Sequence, residues 1–268
     1  RCDMPDEPEF DKVTALIKEC GELMLSAHAV EKESGAIEIK AGTANFVTKY
    51  DKIIQNKLIS GILQIYPEAL FLAEEKENSA ALADSPLLFI IDPIDGTTNF
   101  IHDMKCSVIS VGVYKKGNPF FGIVYNPYFD EMFTAEAGRG AFLNGERISV
   151  SLRSFPEALV SFGTAPYYRD TYADGVFSIA KKVFMKCADL RRSGSAAYDI
   201  CSVACGRTDA YFEMLLSPWD FAAGRIILAE AGGKCTDFDG KTLKCSEPSS
   251  FLCSNSLIHT HLISIIKE

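Results

Sequence analysis

Nowhere does the 268-residue sequence hold a stretch approaching the ~20 consecutive apolar residues that a helix needs to cross a bilayer. A long Lys/Arg cluster is also missing. The 27 basic residues are outnumbered by 36 acidic ones and the formal net charge is −9, which argues against a surface that coats nucleic acid. Small anions remain possible partners where a cation mediates locally. No internal repeat, low-complexity segment or Pro/Ser-rich linker occurs, and "RCDMPDEPEF" at the start lacks the basic-then-apolar order of a secretory signal. No second Cys/His pair stands at ligand spacing beside Cys201 and Cys205, so those two read as helix packing residues rather than half a zinc site. The nine cysteines are odd in number and scattered, as expected of reduced thiols, and the protein is expected to be cytoplasmic.

What is present is ordinary for a soluble enzyme: 47% hydrophobic and 24% charged residues, enough to build a sizeable core. Phe10, Val13, Leu16, Ile17, Cys20, Leu23, Met24 and Ala27 fall at three-and-four spacing and predict an amphipathic helix over 9–31. A turn-rich stretch, "KAGTANFVTKYD" (40–51), leads to a second helical pattern through Ile53, Ile54, Leu58, Ile59 and Ile62, closed by Tyr66-Pro67. Short strands follow at "ALFLAEE" and at Leu87–Ile91. From 107 to 143 the pattern reads as an antiparallel meander, rich in Val, Ile, Phe and Tyr and broken by Gly, Pro and Asn-Gly. Beyond about 155 strands and helices alternate, with helices near 172–185, 195–205 and 219–231 and a last one in "SLIHTHLISIIKE". The expected fold is α+β, layered α-β-α-β-α, with a meander sheet and a second, mixed sheet. A soft division near 150 separates residues 1–150 from 151–268 within one compact unit.

Carboxylates recur at the ends of these elements: Glu74-Glu75 after "LFLA", Asp92 and Asp95 after "LLFII", and Asp220 after "LLSPW". One such acid is a turn or cap residue. Three segments delivering acids suggest a shared destination, since buried charge is unfavourable unless a positive partner meets it. Hard divalent cations take oxygen ligands, and four acids with the Ile94 carbonyl suit two or three Mg²⁺ ions. Pro93 fixes φ in what reads as a tight turn, Asp92-Pro93-Ile94-Asp95. Gly96 lets the backbone approach a ligand, and Thr97-Thr98 opens a short helix whose N–H groups favour a phosphate.

"DPIDGTTNF" (92–100) and "WDFAAGRIILAEAGG" (219–233) resemble, in order and separation, the two signature motifs of the inositol monophosphatase family, Mg²⁺-dependent and lithium-sensitive phosphomonoesterases. "NFVTKYD" (45–51), "LAEEKE" (72–77), "GIVYNP" (122–127), "GAFLNGERI" (140–148) and "RSGSAAYDICSVACGRTDAYFE" (192–213) extend the resemblance over nearly the whole chain. Ala73 stands where the family usually has Gly, and "TAPYYRD" (164–170) is a segment in which members differ.

The resemblance implies that Glu74, Asp92, Asp95, Asp220 and the Ile94 carbonyl hold the metals. It implies that Thr97 touches a metal and the attacking water, that Asp51 orients Thr97, and that Glu74 helps deprotonate the water. Phosphate would lie against the amides of Gly96, Thr97 and Thr98. Gly194, Ser195, Ala196 and Glu213, with Asp95 and Asp220, would contact the substrate, a small phosphomonoester, most simply myo-inositol monophosphate. A homodimer is also implied. Histidinol phosphatase, fructose 1,6-bisphosphatase and 3′(2′),5′-bisphosphate nucleotidase are the alternatives within the superfamily, and a non-catalytic metal- or phospholigand-binding regulator is the alternative outside it. Arg169, Arg191 and Arg192 read as surface or inter-subunit charges; one reaching the pocket would admit a bisphosphate. His102 and Cys106 lack a supporting third group and read as structural. Trp219 reads as a packing residue, and His259 and His261, with no acid nearby, carry little weight as a metal site.

Overall fold

The structure, a computed structural model, describes residues 7–30, 37–39, 46–75 and 85–268. Residues 40–45 of the turn-rich stretch, the "KE" of "LAEEKE" and the start of the chain lie outside them. The first helix, α1 (Glu7–Val30), buries Val13, Ile17, Cys20, Met24 and Ala27, which is the stripe read from spacing. Two three-residue strands, β1 (Ile37–Ile39) and β2 (Phe46–Thr48), pair antiparallel, the second inside the stretch read as turns. The β-branched and aromatic residues of Ile37–Ile39 and Phe46–Thr48 suit strands too short for alternation to register. Helix α2 (Lys49–Ile65) follows directly.

A seven-stranded sheet comes next, in chain order: β3 (Leu70–Ala73), β4 (Leu88–Asp95), β5 (Val108–Lys115), β6 (Asn118–Asn126), β7 (Glu131–Glu136), β8 (Gly140–Leu143) and β9 (Glu146–Ile148). Only β3 and β4 run parallel; the rest is the expected antiparallel meander. The run Leu88–Ile91 is apolar throughout because both faces are covered. Leu88 and Ile90 point into one core, Phe89 and Ile91 into another. Phe89 is fully buried and meets the rings of Tyr66, Phe71 and Phe121 at centroid distances of 5.5, 5.9 and 6.1 Å. Truncating such a residue to Ala removes on the order of 3–5 kcal/mol of stability.

Beyond β9 come β10 (Leu159–Phe162), α4 (Arg169–Phe184), β11 (Asp189–Arg191), α5 (Ala196–Ala204), β12 (Ala210–Leu216), α6 (Pro218–Glu230), β13 (Lys234–Thr236), β14 (Ser249–Ser254) and α7 (His259–Lys267). Their sheet has the order β11-β10-β12-β14-β13; the first three strands are parallel, and β14 is antiparallel to both β12 and β13. Three cores order the layers. One joins α1 and α2 to the first sheet. A central one packs α5 and α6 between the first sheet and Tyr211, Phe251 and Cys253 of the second. The third joins the second sheet to α4 and α7. The fold is α+β and layered α-β-α-β-α. Among the described residues no helix is long and apolar enough to cross a membrane.

Helix α6 lies unusually close to the first sheet. Gly112 and Gly122 stand opposite each other on β5 and β6. A Cβ added at Gly112 would come 2.7 Å from the Ala223 nitrogen, and one at Gly122 would come 2.7 Å from the Ala223 oxygen. Glycine is required here by proximity, since any side chain would meet the helix backbone. The Tyr114 hydroxyl donates to the Ala222 carbonyl at 2.9 Å and fixes the same contact.

Candidate active site

The acids of "DPIDGTTNF" do not sit in a tight turn. Strand β4 continues through Asp95, pairing Asp92 with Ser110 and Asp95 with Val108, so one extra residue is bulged out between them. A bulge tolerates Pro93, which has no N–H for a ladder, and re-aims the side chains beside it. The Asp92 carboxylate accepts the Ile94 amide at 3.0 Å. Gly96 follows at φ 88°, and a Cβ there would lie 3.1 Å from the Cys106 carbonyl and 3.2 Å from that of Gly194. Both the left-handed backbone and the space demand glycine. Helix α3 (Thr97–Ile101) starts at once, and the buried Thr97 hydroxyl donates to the Ile94 carbonyl at 3.2 Å.

Asp220 arrives from the other half of the chain, in the first turn of α6. Its Oδ2 accepts the Ser217 amide at 2.6 Å, so the acid caps its own helix while facing the strand acids. Asp92, Asp95 and Asp220 each offer a carboxylate oxygen, all within 4.8 Å of one another. Glu74, at the end of β3, lines the same cavity of about 500 Å³. Asp51 is buried in the first turn of α2, near enough for its charge to act on Asp92.

Burial first, and then the charge of Glu74 and of Asp95, hold the Asp92 carboxyl well above the usual range. Burial, then Asp95 and Glu74, do the same to Asp220. Burial lifts Asp95 to about 7, against the opposing hydrogen bonds from Ser195 and Ala197. Among the described residues no Lys or Arg is ion-paired with these three aspartates. An all-oxygen donor set, buried, mutually repelling and without a basic side chain to neutralise it, fits a hard divalent cation.

Gly96, Thr97, Thr98, Gly194, Ser195, Ala196 and Glu213 all line this cavity. Glu213 is more engaged than a free hydroxyl acceptor: Oε1 takes the Ala165 amide at 2.8 Å and Oε2 takes the Tyr211 hydroxyl. Trp219 packs against the central core and also forms part of the wall, so it is not a packing residue alone. Arg169, Arg191 and Arg192 are exposed, as expected, but two also reach the cavity. Arg191 pairs with Asp189 at the surface, whereas Arg192 and Arg169 line the cavity. Arg192 donates to the Thr164 hydroxyl at 3.0 Å and Arg169 to the Pro166 carbonyl at 3.1 Å.

Several residues of the site escaped the sequence. Asn99 donates from Nδ2 to the carbonyls of Cys106 at 2.7 Å and Ser193 at 2.9 Å, tying α3 to the loop before α5. Tyr167 shares the cavity wall, and burial, then the charges of Glu74 and Asp220, push its phenol upward. Asp199 is buried in α5 and lifted to about 7 by burial, against the opposing bond from Ser193. Asn99 and Asp199 stood inside the quoted motifs, but nothing in their spacing distinguished them from cap or surface residues. Cys201 lies in the central core and Cys205 packs against it, as helix cysteines should.

A model described as the inositol monophosphatase family matches residues 6–268. The tomato (Solanum lycopersicum) protein named inositol monophosphatase 2 is 40% identical over 240 residues, 87% of this chain and 89% of that protein. Nus factor SuhB of Escherichia coli (strain K12) is 40% identical over 199 residues, 74% of each. In structure, the extragenic suppressor protein suhB from Bartonella henselae aligns with a TM-score of 0.89 at 30% identity, covering 97% of this chain and 98% of that one. Matched from residue 6 to its end, and alike in fold as well as sequence, the chain belongs to the inositol monophosphatase family.

Proposed function

We propose that the protein is a Mg²⁺-dependent phosphatase of small sugar or polyol monophosphates, with myo-inositol monophosphate as its first substrate. The observation that carries this reading is the convergence of Asp92, Asp95 and Asp220 within 4.8 Å, with Glu74 in the same cavity, beside the Gly96–Thr98 backbone. Glu74, Asp92, Asp95, Asp220 and the Ile94 carbonyl would hold two to three ions. Bound there, Mg²⁺ supplies charge neutralisation for the phosphoryl group and a lowered pKa for water.

The chain's own groups do the rest. Gly96, Thr97 and Thr98 amides hold the phosphate, and Thr97, whose hydroxyl would turn from the Ile94 carbonyl to Asp51, directs the attacking water. Glu74 takes the water's proton. Attack in line with the departing alkoxide needs no protein nucleophile. Gly194, Ser195, Ala196 and Glu213 then meet the polyol. The tomato relative's name supports the inositol ring as its identity.

Phosphate release from myo-inositol 1-phosphate with and without Mg²⁺ tests the proposal, and lithium is expected to inhibit it. Unchanged Mg²⁺-dependent turnover in Asp95→Asn would sink the mechanism. The cavity-lining Arg169 and Arg192 favour a bisphosphate as second reading. A panel including fructose 1,6-bisphosphate, histidinol phosphate and a 3′-phosphoadenosine nucleotide decides between them, a bisphosphate preference overturning the first choice. The name of the Escherichia coli relative supports a further role as a Nus factor. Absence of turnover on every ester of the panel would favour that role over catalysis.

A further inference from the structure

Asp199 is a buried acid that no step above uses. It lies in the first turn of α5, only 4% exposed, and its Oδ2 accepts the Ser193 hydroxyl at 2.7 Å. Each serine hydroxyl has one proton to give. Having given its proton to Asp199, Ser193 meets the Ser195 amide with a lone pair, at 3.1 Å. Ser195 is thereby held where its own hydroxyl donates to Asp95 Oδ2 at 2.6 Å. The Ala197 amide reaches the same oxygen at 2.7 Å, so the carboxylate plane of Asp95 is fixed against the start of α5. Asn99 holds the Ser193 backbone from the other side, at 2.9 Å. Two serines thus link an acid outside the cluster to one inside it. Without Asp199, the Ser193 proton has a second acceptor in reach, the Ser195 carbonyl at 3.1 Å, and the hydroxyl is no longer pinned in the direction that aims its lone pair at the Ser195 amide.

We propose that Asp199 is a positioning residue for Asp95, acting through Ser193 and Ser195 to preset one metal ligand; this rests on the reading of Asp95 as a ligand given above. Such outer partners orient a ligating carboxylate, and losing one typically weakens metal binding about 10- to 100-fold. An acid acting only through its charge would instead be indifferent to Ser193.

The test is Mg²⁺ affinity, measured by calorimetry at about pH 8 without substrate, for wild type, Asp199→Ala, Ser193→Ala, Ser193→Thr and the double variant Asp199→Ala/Ser193→Ala. Thermal unfolding of each metal-free protein reports folding separately. Ser193→Ala is expected to weaken binding about tenfold. The double variant should be no weaker than the weaker single one, because both changes cut one chain. Ser193→Thr, which keeps the hydroxyl, should bind like wild type. Losses that multiply in the double variant, a Ser193→Ala protein binding like wild type, or no rescue by threonine would each overturn the inference. If a variant fails to fold, the threonine comparison still decides. Wild-type protein that binds no Mg²⁺ would overturn the metal reading and this inference with it; normal wild-type binding with unimpaired variants overturns the inference alone.

Discussion

The backbone amide of Ala165 donates to Glu213 Oε1 at 2.8 Å, across 48 residues of sequence. Ala165 sits at φ 41°, a left-handed conformation that alanine seldom adopts, and it starts the turn that carries Tyr167, Tyr168 and Arg169 over the cavity. The hydrogen bond therefore holds an unfavourable backbone in place. With Tyr211 on its other oxygen, Glu213 serves two donors in the protein as well as lining the cavity.

Replacing that carboxylate should affect stability and binding together. Glu213→Ala leaves the Ala165 amide and the buried Tyr211 hydroxyl without their acceptor and is expected to cost about 1–3 kcal/mol. It should also raise KM for myo-inositol 1-phosphate about tenfold, the order of effect of one lost polar contact at a binding site. Glu213→Gln keeps one acceptor oxygen and should fall between. Urea midpoints and steady-state kinetics check both parts, and an unchanged midpoint for the alanine variant would refute the anchoring role.

The acid cluster predicts an unusual pH dependence for the metal-free protein. Asp95 and Asp199 are each lifted to about 7 by burial, from an ordinary aspartate value of 3.8, and Asp92 and Asp220 are raised as well. The folded chain then binds more protons than the unfolded one, so stability is full below about 4 and is lost as pH rises through about 7. Thermal melts in EDTA should show Tm falling from pH 5 to pH 8. Saturating Mg²⁺ should flatten that fall by favouring the ionised carboxylates. A Tm that rises with pH in EDTA would contradict it.

His259 acts in the opposite sense. It is 1% exposed, with Nε2 facing the Thr236 hydroxyl at 3.0 Å and Nδ1 facing the Ser254 hydroxyl at 2.9 Å. Thr236 gives its own proton to the Asp237 carbonyl, so the ring donates from Nε2 and accepts at Nδ1 as a neutral imidazole. Burial, then the charge of Lys234, pushes its pKa from 6.5 down to about 4. Its contribution to stability is present above about 6.5 and lost as pH falls towards 4. Urea midpoints at pH 7.5 and 5 should differ less in His259→Gln than in wild type, after allowance for the carboxylates through a metal-saturated control. An equal drop in both proteins would exclude the histidine as a source.

The elements and acids that could be read from sequence were those whose signal is local. The stripe of α1, the apolar run before Asp92 and the Gly/Asn punctuation of the meander each occupy a few neighbouring residues. The bulge at Asp92–Asp95 was not readable, because it exists only in the register against Val108 and Ser110. Nor was the function of Asn99, whose partner Ser193 is 94 residues away. Arg192 and Arg169 are exposed as read, but their place on the cavity wall was not readable, because that wall forms only when residues 163–169 fold against β12. The β1–β2 pair was hidden by its brevity.

Where Gly112 and Gly122 let Ala223 rest on the first sheet, main chain meets main chain with nothing compressible between them. Asp220 lies three residues before Ala223 on one side of that joint, while Asp92 and Asp95 lie on the strand adjoining β5 on the other. Side-chain hopping, the usual source of slack between packed layers, has no atoms to act through at this joint. Drift between acids contributed by distant parts of the chain is thus confined to the bending of backbone itself, and their spacing has a mechanical gauge built from the absence of two side chains.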